Sequence, residues 1–299
     1  MKSGWYATAL RSVRFILVIL AARLSGECIA LPGIASPQLL ENGEEPVSEY
    51  RDERIGDVLS ADNAGQERAL PSEGPYIALV IDDFGFSRKM TAEFESLRLP
   101  VTWAILPFER FSGYTAERAK ETGIPYIIHL PMGAKSDTAR AESLDGSVVD
   151  TGMSPEEIAD VLLNAVEVLP DAVGVNNHRG SRATGDEELM DSFMEILSGF
   201  SLFFLDSRTN ASSAAYAKAV EKGVPALYSS VFLDHQADEA FMETQFLRAL
   251  ALAKRRGWVV VIAHTRIATL QYLQKLEGAL PDGYLFVSLP DLFHLLRIR

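Results

Sequence analysis

The sequence predicts an α/β fold whose seven to eight parallel strands form a barrel or an incomplete barrel. From Tyr76 onward, short apolar runs alternate with amphipathic helical patterns, which is typical of consecutive βαβ units. Polar or charged residues close most of these runs, and parallel strands bring all such ends to one rim. An open, doubly wound sheet is the alternative architecture that the same pattern allows.

Residues 1–35 precede this domain and have the layout of a secretory signal peptide or an uncleaved N-terminal anchor. Lys2, Arg11 and Arg14 come before the apolar run Phe15–Ala22, and small residues follow it. The run is shorter than the ~20 apolar residues that a bilayer-spanning helix needs. We therefore expect the main domain to be exported to a bacterial periplasm or cell envelope, without a membrane span of its own.

Residues 36–75 are predicted to be a mobile acidic linker between that segment and the barrel domain, residues 76–299. Ten acidic and three basic residues lie between Glu41 and Pro75, and no apolar stripe runs through them. The whole chain is also acidic, with a net charge of -13. It would repel phosphates and anionic lipids, which argues against a nucleic-acid partner and against broad electrostatic binding to a membrane.

The cysteine content restricts the kind of metal site that the chain can form. The single cysteine, Cys28, excludes an internal disulfide framework and a cysteine-based metal cluster. Any metal ligands must therefore be His, Asp or Glu. A neutral or weakly charged substrate is the class that the acidic composition favours.

The first strand of the domain is the apolar run Ile77–Ile81, which is typical of a strand buried on both faces and ends at Asp82 and Asp83. Later apolar runs predict the strands Val101–Leu106, Pro125–Leu130, Ala172–Asn176, Leu202–Leu205, Ala226–Leu233, Trp258–Ala263 and Leu285–Leu289. Successive strand residues point in opposite directions, so one of the two carboxylates can bind a metal while its neighbour takes another role nearby.

Amphipathic patterns place a helix after most of the strands. Ser87 is a suitable N-cap for the first helix, and Ser154 opens another with a capping box that Glu157 completes. The predicted helices run from Ser87 to about Leu97, over Gly113–Thr122, from Ser154 to about Leu169, over Asp186–Leu197, Ala214–Lys222, Asp238–Arg256 and Thr269–Glu277, and at the C-terminus. A long polar loop is predicted between Pro131 and Gly152.

Several predicted strand ends carry acidic or histidine side chains that a barrel would gather at one mouth. These are Asp82, Asp83, His129, His178, Asp206, Asp234 and His264. Asp83, His129 and His178 make a candidate site for a divalent metal, with zinc favoured because it accepts imidazole nitrogen and carboxylate oxygen. Each also has a structural interpretation: a helix cap, a buried hydrogen-bonding histidine and a tight turn, respectively.

The other polar residues at strand ends have open roles. His264 is a candidate general acid, or else a helix-capping or core histidine. Asp206 could orient a histidine, bind substrate or cap the next helix, and Asp234 has the same alternatives, with capping favoured. Arg182 and Arg208 could bind a substrate oxygen or orient a carboxylate, or lie in surface ion pairs.

Seven ordered motifs between Tyr76 and the C-terminus resemble those of a known family. They read IALVIDDFG, LPVTWAILPF, IIHLPM, VNNHRGSRAT, LFFLDSRTN, VFLD and IAHTR. In this order they are similar to the divergent polysaccharide deacetylase family, the YibQ-like branch of the NodB-type carbohydrate esterases. The resemblance implies a distorted, NodB-like (β/α) barrel. It also implies a metal-dependent hydrolase that removes N- or O-acetyl groups from a glycan; in the N-acetyl case it acts on a carbon–nitrogen bond that is not a peptide bond.

By motif position, the resemblance implies a role for five of the polar residues at strand ends. Asp82 matches the general base, and His264 matches the histidine acid. Asp83, His129 and His178 match the metal ligands. The implied partner is an acetylated glycan substrate.

Two departures from the better characterised deacetylases leave other functions open. Those enzymes carry a local His-x-x-x-His metal pair, whereas Gly133 stands four residues after His129, so the second imidazole must come from His178. Their Arg-x-Pro-aromatic motif is not evident either. The alternatives are a catalytically inactive envelope protein that binds a glycan or a protein partner on the same fold, and a metal-dependent amidase.

Overall fold

The computed structural model describes residues 74–137 and 147–298. The predicted signal or anchor segment and nearly all of the acidic linker lie outside these residues. Nine strands and eight α-helices make up the described part of the chain, largely in the alternating order that the sequence predicts. No helix in this part is long and apolar enough to cross a membrane.

The bounds of the elements agree closely with the apolar and amphipathic patterns of the sequence. The strands are β1 (Tyr76–Phe84), β2 (Val101–Ile105), β3 (Tyr126–Met132), β4 (Gly174–Arg179), β5 (Phe203–Asp206), β6 (Ala226–Tyr228), β7 (Val231–Phe232), β8 (Trp258–His264) and β9 (Leu285–Val287). The helices are α1 (Arg88–Phe94), α2 (Ser112–Thr122), α3 (Pro155–Val168), α4 (Glu187–Leu197), α5 (Ala215–Glu221), α6 (Glu239–Arg256), α7 (Ile267–Glu277) and α8 (Leu289–Leu295). A short 3-10 helix, Ala183–Gly185, follows β4.

Side-chain caps set where several helices begin. Ser87 caps α1, and Ser154 and Glu157 form the predicted capping box of α3. Asp186 and Asp238 accept hydrogen bonds from the first turns of α4 and α6. These caps satisfy backbone N–H groups that have no partner within the helix, so each helix starts at a defined residue.

All strand pairs are parallel, and the sheet has the order β6-β5-β4-β3-β2-β1-β8-β7, with β9 beside the start of β1. The two edge strands, β6 and β7, are separated in the chain only by Ser229 and Ser230. Ser229 N–H donates to Asp206 O of β5, and Ser230 N–H donates to Val260 O of β8. The sheet must curl to let two consecutive residues bond near opposite edges, which confirms the incomplete parallel barrel.

The prediction of one strand over Ala226–Leu233 is wrong. The structure has two short strands there, and β6 pairs with β5 while β7 pairs with β8. Both halves are buried apolar segments, so the run looks continuous in the sequence. The interruption lets the chain cross from one edge of the sheet to the other.

Two apolar layers stabilise the barrel. Alternate residues of β1 contribute to different layers, because successive strand side chains point to opposite faces. The inner layer contains Tyr76, Ala78, Val80, Ala104, Ile127, Leu205, Leu227, Val260, Ile262, Leu289, Leu292 and Phe293. Helix α8 fills the amino-terminal end of this interior, where Phe293 stacks on Phe203 and Leu289 N–H donates to Thr102. Thr102 is thus satisfied at the amino-terminal end, and the acidic and histidine side chains directed inward lie at the carboxyl end of the strands.

Candidate metal centre

The polar residues at the barrel mouth continue the inward-facing rows of the strands. Two positions after an apolar inner residue comes a polar one: Val80 is followed by Asp82, Ile127 by His129 and Ile262 by His264. The period of two along a strand directs all of them into the barrel above the apolar layer. Asp82 and His264 are direct register partners on the neighbouring strands β1 and β8.

Asp83 reaches the same space through an irregularity of the backbone. Strand alternation would direct it away from Asp82, but its φ is 67° and the register between β1 and β2 shifts at this point. This left-handed conformation is uncommon for a residue other than glycine and is often found at functional sites. As a result the carboxylates of both Asp82 and Asp83 approach the ring of His129. Asp82 Oδ2 lies 3.7 Å and Asp83 Oδ1 lies 3.2 Å from His129 Nε2. The expectation that the two carboxylates point in opposite directions is therefore wrong.

Three candidate ligand atoms from three strands converge at the mouth. His129 Nε2 and His178 Nδ1 are 3.0 Å apart, and each lies 3.2 Å from Asp83 Oδ1. Zinc with tetrahedral ligands at about 2.0–2.1 Å separates them by roughly 3.3 Å, so this triangle matches three corners of such a site.

The hydrogen bonding of Asp83 supports the same assignment. Within the described part of the chain, Asp83 Oδ1 is buried without a hydrogen bond, although two imidazole nitrogens lie close to it. A buried oxygen without a hydrogen bond is rare, and a metal ion would satisfy it. The side chains of Asp83 and His178 remain 28% and 27% exposed, so an ion can reach the cluster from solvent. One carboxylate and two imidazoles fit a divalent ion, with zinc favoured.

Asn176 connects His129 to Asp82. His129 Nδ1 lies 2.8 Å from Asn176 Oδ1, and the amide nitrogen donates to Asp82 Oδ1 over 3.0 Å and to Ser207 Oγ over 3.2 Å. All four side chains are buried. The motifs do not predict roles for Asn176 and Ser207. The period of two in β4 does place Asn176 on the same face as His178, and this signal could have identified it.

Burial and neighbouring charges shift the pKa values of these groups. Burial raises the pKa of Asp82 to about 6, against the attraction of His129 and His264. Burial also disfavours ionised Asp83, but the two imidazoles outweigh it and hold the pKa of that carboxyl well below its usual range. Burial lowers the pKa of His178, which favours the neutral form that binds a metal.

On β8, directly beside Asp82, His264 is held by the buried carboxylate of Asp234. His264 Nδ1 lies 2.7 Å from Asp234 Oδ1, and the His264 backbone N–H donates to Asp234 Oδ2 over 2.9 Å. Thr269 Oγ1 donates to the same Oδ2 atom over 2.5 Å. Burial disfavours the charged ring, but the Asp234 carboxylate outweighs it and raises the pKa of His264 to about 9. His264 is therefore mainly an imidazolium at neutral pH.

Two other aspartate predictions have clear outcomes. The capping role favoured for Asp234 is wrong, because Asp238 caps α6 by accepting from Phe241 N–H over 2.9 Å. Asp206 accepts from the Ser213 hydroxyl over 2.8 Å and from Tyr216 N–H over 3.3 Å. These bonds tie Asp206 to the start of α5, which is close to its capping interpretation.

The predicted arginines contact side chains around the barrel mouth and not the three-ligand cluster. Arg208 lies over the ring of Tyr228, with its guanidinium carbon 3.8 Å from the ring centroid. Arg182 binds both oxygens of Asp150, at 2.9 and 2.5 Å. Asp150 in turn occupies the space beside Gly133, where an added Cβ would lie 2.0 Å from Asp150 Oδ1. A side chain at this position would displace the Asp150–Arg182 ion pair, and the second imidazole of the candidate site lies on β4.

Comparison with known proteins places the chain in one family. The family model described as divergent polysaccharide deacetylase matches residues 79–293. The uncharacterized protein YibQ of Escherichia coli is 34% identical over 218 residues, which cover 73% of this chain and 67% of that protein. An uncharacterized protein of Haemophilus influenzae is also 34% identical over 217 residues, which cover 73% of this chain and 76% of that protein.

A solved structure shows the same fold. The uncharacterized protein ATU2773 from Agrobacterium tumefaciens superimposes with a TM-score of 0.69 at 19% identity, over 74% of this chain and 90% of that one. At this identity the likeness concerns the fold alone. The family match, by contrast, spans almost the whole described domain, from the first strand to the last helix. The chain belongs to the divergent polysaccharide deacetylase family.

Proposed function

We propose that the protein is a metal-dependent hydrolase that removes N- or O-acetyl groups from an envelope or extracellular glycan. The observation that carries the proposal is the triangle of Asp83 Oδ1, His129 Nε2 and His178 Nδ1, with sides of 3.0–3.2 Å, at the barrel mouth. Asp82 and His264 lie beside it on adjacent strands. Membership of the deacetylase family supports acetyl hydrolysis and a glycan as the substrate class.

Asp83, His129 and His178 would hold the divalent ion. When bound, a zinc ion supplies Lewis acidity toward a carbonyl oxygen and toward water. The ligands leave one side of the cluster accessible, because Asp83 and His178 are partly exposed whereas His129 is only 2% exposed. A substrate acetyl group can approach the cluster from that side.

Asp82 and His264 would carry the proton transfers. Asp82 Oδ1 is held by Asn176, and Asp82 Oδ2 faces the cluster, 3.7 Å from His129 Nε2. This oxygen is placed to accept a proton from the attacking water. His264, protonated through its bond to Asp234, is placed to donate a proton to the departing amine or alcohol.

The site of action follows from the N-terminal pattern. The charged and apolar layout of residues 1–35 favours export to the periplasm or cell envelope, where acetylated glycans occur. An envelope protein partner is compatible with the acidic linker before the barrel. Detection of the protein in the periplasmic or envelope fraction tests this part of the proposal, and exclusive recovery from the cytosol contradicts it.

Acetate release by the purified full chain tests the proposed activity. Acetylated chitooligosaccharides and peptidoglycan serve as substrates, with and without added zinc, and mass analysis identifies the products. Zinc-dependent loss of acetyl groups is the expected result. Glycan binding without turnover would support the inactive binding protein, and cleavage products that retain their acetyl groups would support the amidase.

A further inference from the structure

We propose that Asn176 is a positioning residue that orients His129 for metal binding and holds Asp82 for proton transfer. The inference rests on the proposed function, because it treats His129 as a metal ligand and Asp82 as the base. Asn176 bonds to His129 Nδ1 and Asp82 Oδ1, and not to the three candidate ligand atoms or to Asp82 Oδ2. Its role is exerted through His129 and Asp82.

The orientation of the Asn176 amide follows from its neighbours. Asp82 Oδ1 lies 3.0 Å from the Asn176 side-chain nitrogen, and an ionised carboxylate only accepts hydrogen bonds. The amide NH₂ must therefore face Asp82, and the amide oxygen must face His129 Nδ1 at 2.8 Å. Ser207 Oγ, 3.2 Å away, accepts the second N–H of the same amide.

This orientation fixes the tautomer of His129. Because Asn176 Oδ1 only accepts, the proton of a neutral His129 must lie on Nδ1. The lone pair of Nε2 is then directed at the cluster, where Asp83 Oδ1 and His178 Nδ1 lie within 3.2 Å. Fixing the ring of a metal-binding histidine in this way is what outer hydrogen-bond partners do in metal sites generally.

The same amide bonds to only one of the two neighbouring carboxylates. Asp82 receives a hydrogen bond on Oδ1, which holds its plane and leaves Oδ2 for the reaction. Asp83 Oδ1 receives no hydrogen bond within the described residues, so its lone pairs remain for an ion. One neutral side chain thus holds Asp82 as the base and orients His129 as a ligand, while the neighbouring Asp83 oxygen is left for an ion.

The amide is itself held firmly. Asn176 is fully buried, so water does not compete for its bonds. Its neighbour Asn177 points to the opposite side of β4 and accepts from the Ser207 backbone N–H over 2.9 Å. Asn177 thereby offers a control at the adjacent position that makes no bond to His129 or Asp82.

Two substitutions separate the two functions of the amide. Asn176→Ala removes both bonds, and we expect zinc affinity to fall by about 10–100-fold, as on loss of other outer partners of metal ligands. Asn176→Asp keeps an acceptor for His129 Nδ1 but cannot donate to Asp82. We expect its zinc affinity to stay within about threefold of the parent or to be tighter, while kcat for acetate release falls by about 10²-fold or more.

Zinc affinity is measured by competition with a chromophoric chelator, and the His129 tautomer by ¹⁵N NMR of the metal-free full chain. The parent should show the Nδ1–H form, Asn176→Ala should show a mixture, and Asn177→Ala should keep the parent tautomer. A purely structural role would affect the alanine and aspartate variants alike. An Nε2–H tautomer in the parent, or equal zinc affinity in the parent and Asn176→Ala, overturns the proposal.

Failure of this inference is distinguishable from failure of the proposed function. Zinc-dependent deacetylation by the parent, together with unchanged tautomer and affinity in Asn176→Ala, would overturn the role of Asn176 and leave the hydrolase standing. Absence of turnover in the parent would overturn the hydrolase. The difference in zinc affinity between Asn176→Ala and Asn176→Asp would then still support the positioning of His129.

Discussion

The two sides of the barrel mouth differ in how completely their polar atoms are satisfied. On the side of β8, Asp234 accepts from His264 Nδ1, from the His264 backbone N–H and from the Thr269 hydroxyl. On the side of β1, β3 and β4, Asp83 Oδ1 lies 3.2 Å from two imidazole nitrogens and makes no hydrogen bond within the described part of the chain.

This difference indicates that one set of residues holds a proton and that the other is suited to a cation. The His264–Asp234 pair holds a proton with its own side chains and needs no further partner. The three-ligand triangle offers three atoms to a shared space, and a bound cation would complete this arrangement. A change on one side should therefore affect proton transfer, whereas a change on the other should affect metal binding.

Replacing His178 by Ala should produce the largest effect. Loss of one of three protein ligands is expected to lower zinc affinity by more than the roughly 10–100-fold that an outer partner contributes, and to abolish acetate release. Zinc titration and the acetate assay measure both quantities. His294→Ala, an exposed histidine on α8, is the matched control and should leave both unchanged. Full zinc affinity in His178→Ala would show that the ligand assignment is wrong.

Replacing Asp234 by Asn should lower the rate of acetate release and leave zinc binding nearly unchanged. The amide cannot stabilise an imidazolium as the carboxylate does, so the pKa of His264 should fall from about 9 toward its ordinary value. We expect kcat to decrease by about 10²–10⁴-fold, the range that general acid catalysis contributes, with zinc affinity changed by less than about threefold. An unchanged kcat, or a zinc affinity that falls with it, would contradict the separation of the two sides.

The His264–Asp234 pair should also make stability depend on pH. The folded-state pKa of His264 is raised from 6.5 to about 9, so its stabilisation is fully present below about pH 6.5 and is lost as the pH rises through about 9. Relative to His264→Gln, the parent should lose on the order of 3 kcal/mol over this interval. Urea unfolding of both proteins in the presence of a chelator measures it. A difference that does not vary with pH would exclude this charge interaction.

Replacing Gly133 by Ala should have the smallest effect: it should lower stability without changing metal binding or proton transfer. The new Cβ would lie 2.0 Å from Asp150 Oδ1, so the Asp150–Arg182 pair must move. We expect a loss of about 2 kcal/mol in the free energy of unfolding, with zinc affinity unchanged. Gly113→Ala, where an added Cβ meets nothing within 4 Å, is the control and should not destabilise. A strong loss of zinc affinity in Gly133→Ala would show that this loop shapes the metal centre.

Strands and helices could be predicted from the sequence where one local signal dominates. The apolar runs at Ile77–Ile81 and Trp258–Ala263, and the capping box at Ser154, each depend on neighbours along the chain. The division of Ala226–Leu233 into two strands could not be predicted. It depends on which distant strands, β5 and β8, the chain meets.

The site shows the same limit. Strand ends and a period of two indicate that Asp82, His129 and His264 face one space. The left-handed φ of Asp83, which turns it toward His129, is a backbone property that the sequence does not reveal. The bond between Asn176 and Asp82 joins residues 94 positions apart, so it depends on the packing of the barrel.

Anomalous diffraction at the zinc edge, from crystals of the protein grown with zinc, tests the metal centre most directly. We predict one strong peak within about 2.0–2.2 Å of Asp83 Oδ1, His129 Nε2 and His178 Nδ1, with His264 and Asp234 still hydrogen-bonded to each other. A peak bound elsewhere, or none at the triangle, would contradict the central claim that this cluster is a metal site.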